Sequence, residues 1–517
     1  MYSSEKLRAA VEFIVSAGYQ LNKDAFELLN ERLKEEDPIE SVRKTLKQIE
    51  TLNEKPLFID RKFLENVLQL KSKKKNTIPL STKLQKQTTK IKTPKGRNKF
   101  QPYAKEVDKD FKIIEDPSKK LSSTGELGDF IDYFRDRFKR MEKLLRQRID
   151  VKSATSLIEA LKSPIKTKLK IICMITEKKV VNQRVFLKVE DLHATAQVLI
   201  PQNRFQTLRS KINHLILDQV ICLNVHKTRN NLLIVDEIIF PEIAQKPRNK
   251  ASVPIFAALT SDLHVGSTKF QDKAFNRFIL WLNGKYGNKK VKEMSGHVKY
   301  VLIAGDIVDG IGIYPNQINE LATEDIHDQY NIAANFIEKI PDYIEVIIIP
   351  GNHDVPRKAL PQPAISNEFL DTLKKHKNIH LLGNPCYISL HKVEVLMYHG
   401  SSLEDINSTV QGMDHNNPER AMSLLLKGRH LSPMYGKKTP LSPENKDFLV
   451  IERVPDIFHA GHIHILGYSK YRGVLAINSG CWQEQTDYMT RLGLIPTPNK
   501  VPLVNLQTLE TIVMPFN

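Results

Sequence analysis

The chain has 517 residues, 41% of them hydrophobic and 7% aromatic, which is enough apolar surface for a buried core and excludes a wholly disordered protein. Its formal net charge is +18 and its pI about 9.4, a balance that points to a polyanionic partner and says nothing about fold. Cys173, Cys222, Cys386 and Cys481 stand far apart with no Cys-x-x-Cys pair. That excludes a zinc ribbon or dithiol motif and suits a reducing cytoplasm. The N-terminus has no apolar core of signal-peptide length and no run reaches ~18 apolar residues, so a soluble cytoplasmic chain with no membrane contact is expected.

Taken in order, residues 1–70 read as a small helical interaction module. Leu7, Ala10, Val11, Ile14 and Val15 fall on one helical face, as do Phe26, Leu29 and Leu33; Asp37-Pro38 opens a further helix with Val42, Leu46 and Ile49 at helical spacing. Residues 71–125 read as a flexible basic linker. Between Lys71 and Lys105 stand twelve lysines and arginines and no Asp or Glu, too little apolar surface to offset the entropy of ordering. Such a run either contacts phosphates or is only a solvated tether. Residues 126–164 read as a connector built on a charged helix from Asp129 to Arg148, with Phe130, Phe134, Phe138, Met141 and Leu145 on one face.

Within 165–250, five strand-length segments follow: Leu169–Ile175, Val185–Val189, Ala194–Ile200, Val220–Val225 and Leu232–Ile239. Short strands at this spacing predict a small barrel, with the OB fold as leading candidate. Residues 251–517 alternate apolar strand-like runs with helical patterns such as Phe275-Phe278-Ile279-Leu282, the signature of a large α/β domain. The expected fold class is therefore multidomain α+β.

Five of those apolar runs end in polar motifs. Ile255–Leu259 leads to Ser261-Asp262-Leu263-His264, and Tyr300–Ala304 leads to Gly305-Asp306-Ile307-Val308-Asp309-Gly310. Ile344–Ile349 leads to Gly351-Asn352-His353-Asp354, Val393–Met397 to His399-Gly400, and Ile457-Phe458 to Gly461-His462-Ile463-His464. In α/β sheets the ligand crevice lies beyond the carboxyl ends of the strands, so five such ends can converge. Carboxylate, amide oxygen and imidazole together suit two divalent cations, Mn²⁺ first, with Mg²⁺, Fe²⁺ or Zn²⁺ as alternatives. One carboxylate can bridge two ions ~3.5–4 Å apart. A lone Asp-x-His is common and mostly structural; the ordered set of five is not. His391, His430 and His459 are left as core or surface residues.

The set D-x-H, G-D-x-x-D-G, G-N-H-D, H-G and G-H-x-H is similar to the calcineurin-like metallophosphoesterase superfamily. That resemblance implies one ion held by Asp262, His264, Asp306 and His464 and another by Asp306, Asn352, His399 and His462. It implies His353 as general acid, oriented by Asp309, with Asp354 in support. The barrel-then-phosphoesterase order, with the stretches Pro418–Gly436 and Thr490–Leu506, resembles the small subunit of archaeal D-family DNA polymerases over most of residues 165–517. Membership would imply a 3′→5′ exonuclease acting on single-stranded DNA or a primer 3′ end, and a large polymerase subunit as partner. A sliding clamp is a further candidate partner, though no clamp-binding peptide stands out. The alternatives are a scaffold subunit with a vestigial metal site, a stand-alone repair nuclease, or a phosphoprotein phosphatase. The last commonly has Arg where Gly310 stands.

Overall fold

The computed structural model describes residues 7, 9–11, 13, 14, 17, 20, 21, 23–31, 37–50, 58, 59, 61, 64, 67, 100–245 and 247–517, in two compact units spanning 1–96 and 97–517. In the first unit, strands β1 (Gln20–Leu21) and β2 (Phe58–Ile59) pair in parallel. Helices Lys23–Glu31 and Pro38–Glu50 accompany them. Asp37 Oδ1 accepts from the Ile39 N–H at 3.0 Å where the Asp-Pro start was expected. Leu7, Ala10, Ile14, Leu29, Val42 and Ile49 share one core. Phe26 faces outward, against expectation, because Ala25, Leu28 and Leu29 form the buried stripe instead. Val15, Leu33 and residues 71–99 of the basic segment lie outside the described residues.

The second unit starts earlier than the sequence suggested. The end of the expected linker carries the helix Tyr103–Glu106 and strand β3 (Phe111–Glu115). The charged helix runs Leu127–Arg146 and buries Phe138, Met141 and Leu145 as its apolar stripe requires. It also buries Arg137, whose Nε lies 2.7 Å from Asp447 Oδ2.

The five expected strands form a closed barrel. They are β4 (Lys168–Val181), β5 (Arg184–Glu190), β6 (Thr195–Ile200), β7 (Val220–Lys227) and β8 (Leu233–Ile239), closing in the order β4-β5-β6-β8-β7. Along β5, Val185, Leu187 and Val189 point inward between exposed neighbours, the period of two that a one-sided core imposes. The helix Gln202–Asn213 joins β6 to β7 and buries Leu208 and Ile212 against the barrel interior.

The remainder forms two six-stranded sheets rather than one. The first contains β9 (Phe256–Thr260), β10 (Val298–Ala304), β11 (Glu345–Ile349) and β12 (Ile379–Leu381), all parallel. The second contains β13 (Cys386–Leu390), β14 (Val393–Met397), β15 (Ile457–Ala460), β16 (Leu466–Tyr471) and β17 (Val474–Ser479). Strand β3 pairs antiparallel with β13 and forms the edge of that sheet. Strands β18 (Lys500–Asn505) and β19 (Thr511–Pro515) return to the first sheet beside β9.

Leu302 and Ala304 of β10 pack with Val395 and Met397 of β14 between the sheets. Val301 and Ile303, on the opposite face of β10, meet Phe278 and Ile337 from covering helices. Burial on both faces is why these strands read as unbroken apolar runs. On the far side of the second sheet, helices Ser402–Thr409 and Pro418–Gly428 cover Leu396 and Phe458. Among the described residues no helix is long and apolar enough to cross a membrane, and all four cysteines are free and buried.

Candidate metal centre

The carboxyl ends of β9, β10 and β11 from one sheet, and of β14 and β15 from the other, meet at one edge of the sandwich. Pairing continues past the strands: Asp262 N–H donates to the Gly305 carbonyl at 2.9 Å and His264 N–H to the Asp306 carbonyl at 3.1 Å. The two loops carrying those residues are thus locked side by side. In the second sheet, Gly461 N–H donates to the His399 carbonyl at 2.7 Å, and across the sheets His462 N–H donates to Asp262 Oδ2 at 3.0 Å.

Five of the seven candidate ligands have left-handed backbone: Asp262 (φ 50), His264 (φ 53), Asp306 (φ 51), His462 (φ 69) and His464 (φ 59). Each such conformation costs on the order of 1 kcal/mol for a residue with a Cβ. Concentrating five at one point marks a place where side-chain position outweighs backbone ease. Gly351 allows the closest approach, since a Cβ there would stand 2.1 Å from Asp306 Oδ1.

The ligand atoms form two groups around Asp306. His264 Nε2 lies 3.0 Å from His464 Nε2, and His464 Nε2 lies 3.3 Å from Asp262 Oδ1. On the other side, His399 Nε2 lies 3.0 Å from Asn352 Oδ1 and 3.3 Å from His462 Nδ1. Asp306 Oδ2 sits between the groups, 3.7 Å from His264 Nε2 and 3.3 Å from His399 Nε2. Its Oδ1 accepts from the His353 N–H at 2.8 Å. All seven residues predicted to hold metal are therefore gathered here.

The outer hydrogen bonds fix which imidazole atoms face inward. His399 Nδ1 is 2.8 Å from the Ala304 carbonyl, so it is the N–H donor and its Nε2 lone pair faces the centre. His264 Nδ1 donates likewise to Asp309 Oδ1 at 3.0 Å, leaving its Nε2 to face His464. His264 and His399 thus turn Nε2 toward the carboxylate and amide oxygens and the other imidazoles at about hydrogen-bond distance, where a shared cation could sit. The donor set and its tautomers fit a pair of divalent ions. Burial would raise the Asp306 pKa, but the surrounding imidazoles of His399, His353 and His264 hold it well below the carboxylate range. Burial also works against a proton on His399, yet Asp306 and Asp262 beside it push its pKa up to about 9. The centre favours positive charge.

Asp309 acts differently from the role the resemblance implied. Its carboxylate faces His264, Gln317 Nε2 at 2.8 Å and Gln483 Nε2 at 3.0 Å. His353 is met instead by the Asp309 backbone carbonyl, 2.7 Å from Nδ1. That bond leaves His353 Nε2 free, and the ring is half-buried, like Asn352 and His462, beside the buried His264 and Asp306. Asp354 is buried and accepts from Gly351 N–H at 2.8 Å, the Tyr330 hydroxyl at 2.9 Å and Ile307 N–H at 3.2 Å, the last tying two of the motif loops together. Burial and then the nearby Asp306 charge raise its pKa to about 6.

Several supporting residues gave no signal in the sequence. Asn384 accepts from the His399 N–H at 3.0 Å and donates to Gln362 at 2.7 Å. Glu404 lies 3.7 Å from His462 Nε2, and that imidazole together with Lys438 holds its pKa at about 2. His459 stays outside the centre, with Nε2 3.1 Å from the Ser479 hydroxyl, and burial lowers its pKa to about 3. A cleft of about 230 Å³ opens over His264, Asp306, Asn352, His353, His462 and His464, and neither lysine nor arginine lines it among the described residues.

Comparison with known proteins bears on this architecture. Residues 257–464 match the B-subunit family of DNA polymerases alpha and epsilon. The chain is 38% identical over 408 residues to the DNA polymerase II small subunit of Methanocaldococcus jannaschii, covering 78% of this chain and 68% of that one. It is 37% identical over 390 residues to the namesake from Archaeoglobus fulgidus, covering 75% and 78%. With that from Methanothermobacter thermautotrophicus it shares 38% over 405 residues, covering 77% and 82%.

Proposed function

This chain belongs to the family of archaeal DNA polymerase II small subunits, and on that premise we propose that its Asp–His centre hydrolyses DNA phosphodiester bonds. The observation that carries the reading is Asp306 Oδ2 placed between two groups of inward-facing imidazoles. We assign Asp262, His264, Asp306 and His464 to one cation and Asp306, Asn352, His399 and His462 to the other, in the manner of calcineurin-like phosphoesterases. Two divalent ions, Mn²⁺ foremost, supply positive charge to clamp the phosphodiester and to activate water when bound.

The remaining work falls to the chain's own groups. His264 and His399 are held by their Nδ1 bonds so that neither ring can rotate its Nε2 away. His353, anchored through Nδ1 to the Asp309 carbonyl, presents Nε2 to the cleft. In its protonated form it donates that proton to the departing sugar oxygen. Because no lysine or arginine lines the cleft, the substrate's charge is answered by the ions rather than by side chains.

The family resemblance supplies direction: a 3′→5′ exonuclease acting on single-stranded DNA or a primer 3′ end, removing misincorporated nucleotides. The relatives' shared name, small subunit, implies a larger catalytic polymerase subunit as partner. The test is hydrolysis of a labelled single-stranded oligonucleotide with Mn²⁺ by the complex purified with its partner. His353→Ala is expected to lose about 10²–10⁴-fold in rate while retaining both ions by elemental analysis. Undiminished hydrolysis in that variant would locate the nuclease elsewhere and leave this chain a scaffold.

A further inference from the structure

The wall of the cleft opposite the ligands is apolar and aromatic, and its most prominent feature is a pair of tyrosine rings. Tyr314 and Tyr488 stack with centroids 5.3 Å apart and planes inclined by 30°. Tyr314 also lies 6.4 Å from the His353 ring. Both tyrosines line the cleft, with Met489 and Leu492 beside them.

One buried carboxylate sets this pair. Glu320 Oε2 accepts from the Tyr314 hydroxyl at 2.6 Å, and its Oε1 accepts from the Asp487 N–H at 2.7 Å. Glu320 is only 9% exposed, so it ties the loop after β10 to the short helix Asp487–Arg491 that carries Tyr488. Thr486 caps the same helix by accepting from the Met489 N–H at 3.2 Å. The rings are therefore pre-positioned, and positioning is seldom arranged for side chains left in water. Tyr488 is 42% exposed and Leu492 50%, and the helix bears no buried residue. Its outward surface serves no core.

We propose that the Tyr314–Tyr488 pair is a nucleobase-stacking subsite that receives the base of the nucleotide being cleaved, with Glu320 as its positioning residue. The inference rests on the phosphoesterase reading above and adds to it how the substrate is gripped beyond its phosphate. A cleft without lysine or arginine cannot hold the nucleotide by charge alone outside the ions, and every base has a π face that a ring can accept whatever the sequence. Tyr314 lies 6.4 Å from the His353 ring, which itself lies 4.6 Å from His264 of the ligand cluster, so a nucleotide whose phosphate meets the ligands brings its base within reach of the rings.

The test uses the full complex and a single-stranded oligonucleotide with 2-aminopurine at its 3′ end, whose emission falls when the base stacks. Binding is followed in Mn²⁺ with a hydrolysis-resistant 3′-terminal linkage, so that the phosphate clamp is present but no cleavage occurs. The wild-type protein and Tyr488→Phe are expected to quench the probe, and Tyr488→Ala to leave it bright. In Mn²⁺, Tyr488→Ala should raise KM about tenfold for a base-bearing 3′ end and leave kcat and cleavage of a 3′-abasic oligonucleotide unchanged. Equal quenching by the wild type and Tyr488→Ala, or an equal loss on abasic and base-bearing ends, would overturn the subsite. Quenching that depends on Tyr488, in a protein that cleaves neither substrate, would sustain the subsite while removing the phosphoesterase reading.

Discussion

Two clusters of buried ionisable groups in the second unit, each centred on an aspartate beside histidine, behave in opposite ways. In one, Asp447 Oδ2 accepts from Arg137 Nε at 2.7 Å and from His430 Nε2 at 2.8 Å, and its Oδ1 accepts from the Leu449 N–H at 2.9 Å. His430 Nδ1 in turn accepts from the Ser432 N–H at 3.1 Å. Every donor meets an acceptor, one cation balances one anion, and the cluster is closed. In the other, around Asp306, imidazole nitrogens crowd the carboxylates and, among the described residues, no lysine or arginine answers them. A closed cluster holds the chain together; an open one awaits charge from outside. The distinction lies in which hydrogen bonds are complete and is invisible in residue composition.

The largest effect that separates the two is expected from Asp306→Ala, which should empty both cation positions, read as metal stoichiometry in the purified complex. Retention of two ions would break the assignment of Asp306 as the shared ligand. In the closed cluster, Asp447→Ala leaves the Arg137 guanidinium buried without its counter-charge and should cost about 3–5 kcal/mol of stability. Denaturant unfolding would measure it, and metal content should not change. Acid sharpens the same contrast. Burial, and then the neighbouring Arg137 charge, lower the His430 pKa from 6.5 to about 4. The unfolded chain takes up this proton first, so stability from the group is complete above pH 6.5 and declines towards pH 4, by up to about 3 kcal/mol. Unfolding curves for the parent chain and His430→Gln should converge over that interval. The smallest effect is expected from Asp309→Ala, which frees His264 to rotate and should weaken metal affinity by about 10–100-fold, measurable by calorimetric titration.

Much of the centre was legible because each ligand follows a run buried on both faces, and such runs declare themselves as unbroken apolar stretches. The strand-end motifs held all seven candidate ligands, and the family resemblance picked them out from the other polar residues there. What stayed hidden was of another kind. Gln483 and Asn384 are single polar residues in irregular segments, while Gln317 and Glu404 sit in short helices whose spacing gives no reason to single them out. Arg137 lies in a helix rich in charge, where helical spacing gives no reason to bury one arginine among many. The division of the strands between two sheets was equally unreadable, since parallel runs look alike whichever sheet receives them. Asp309 shows the limit of motif reasoning in one residue: the motif placed it beside His353, but backbone and side chain contact different histidines.

Strand β3 lies more than 250 residues before its partner β13, in a stretch that reads as a tether, yet it completes a ladder with Tyr387, Ile388, Ser389 and Leu390. A shortened chain beginning after residue 115 would bare that row of amide and carbonyl groups along an otherwise intact sheet. Unsatisfied rims of this sort recruit other chains edge to edge. Such a truncated protein should precipitate or self-associate even with its candidate metal centre untouched, and adding back residues 100–115 should restore a well-behaved solution.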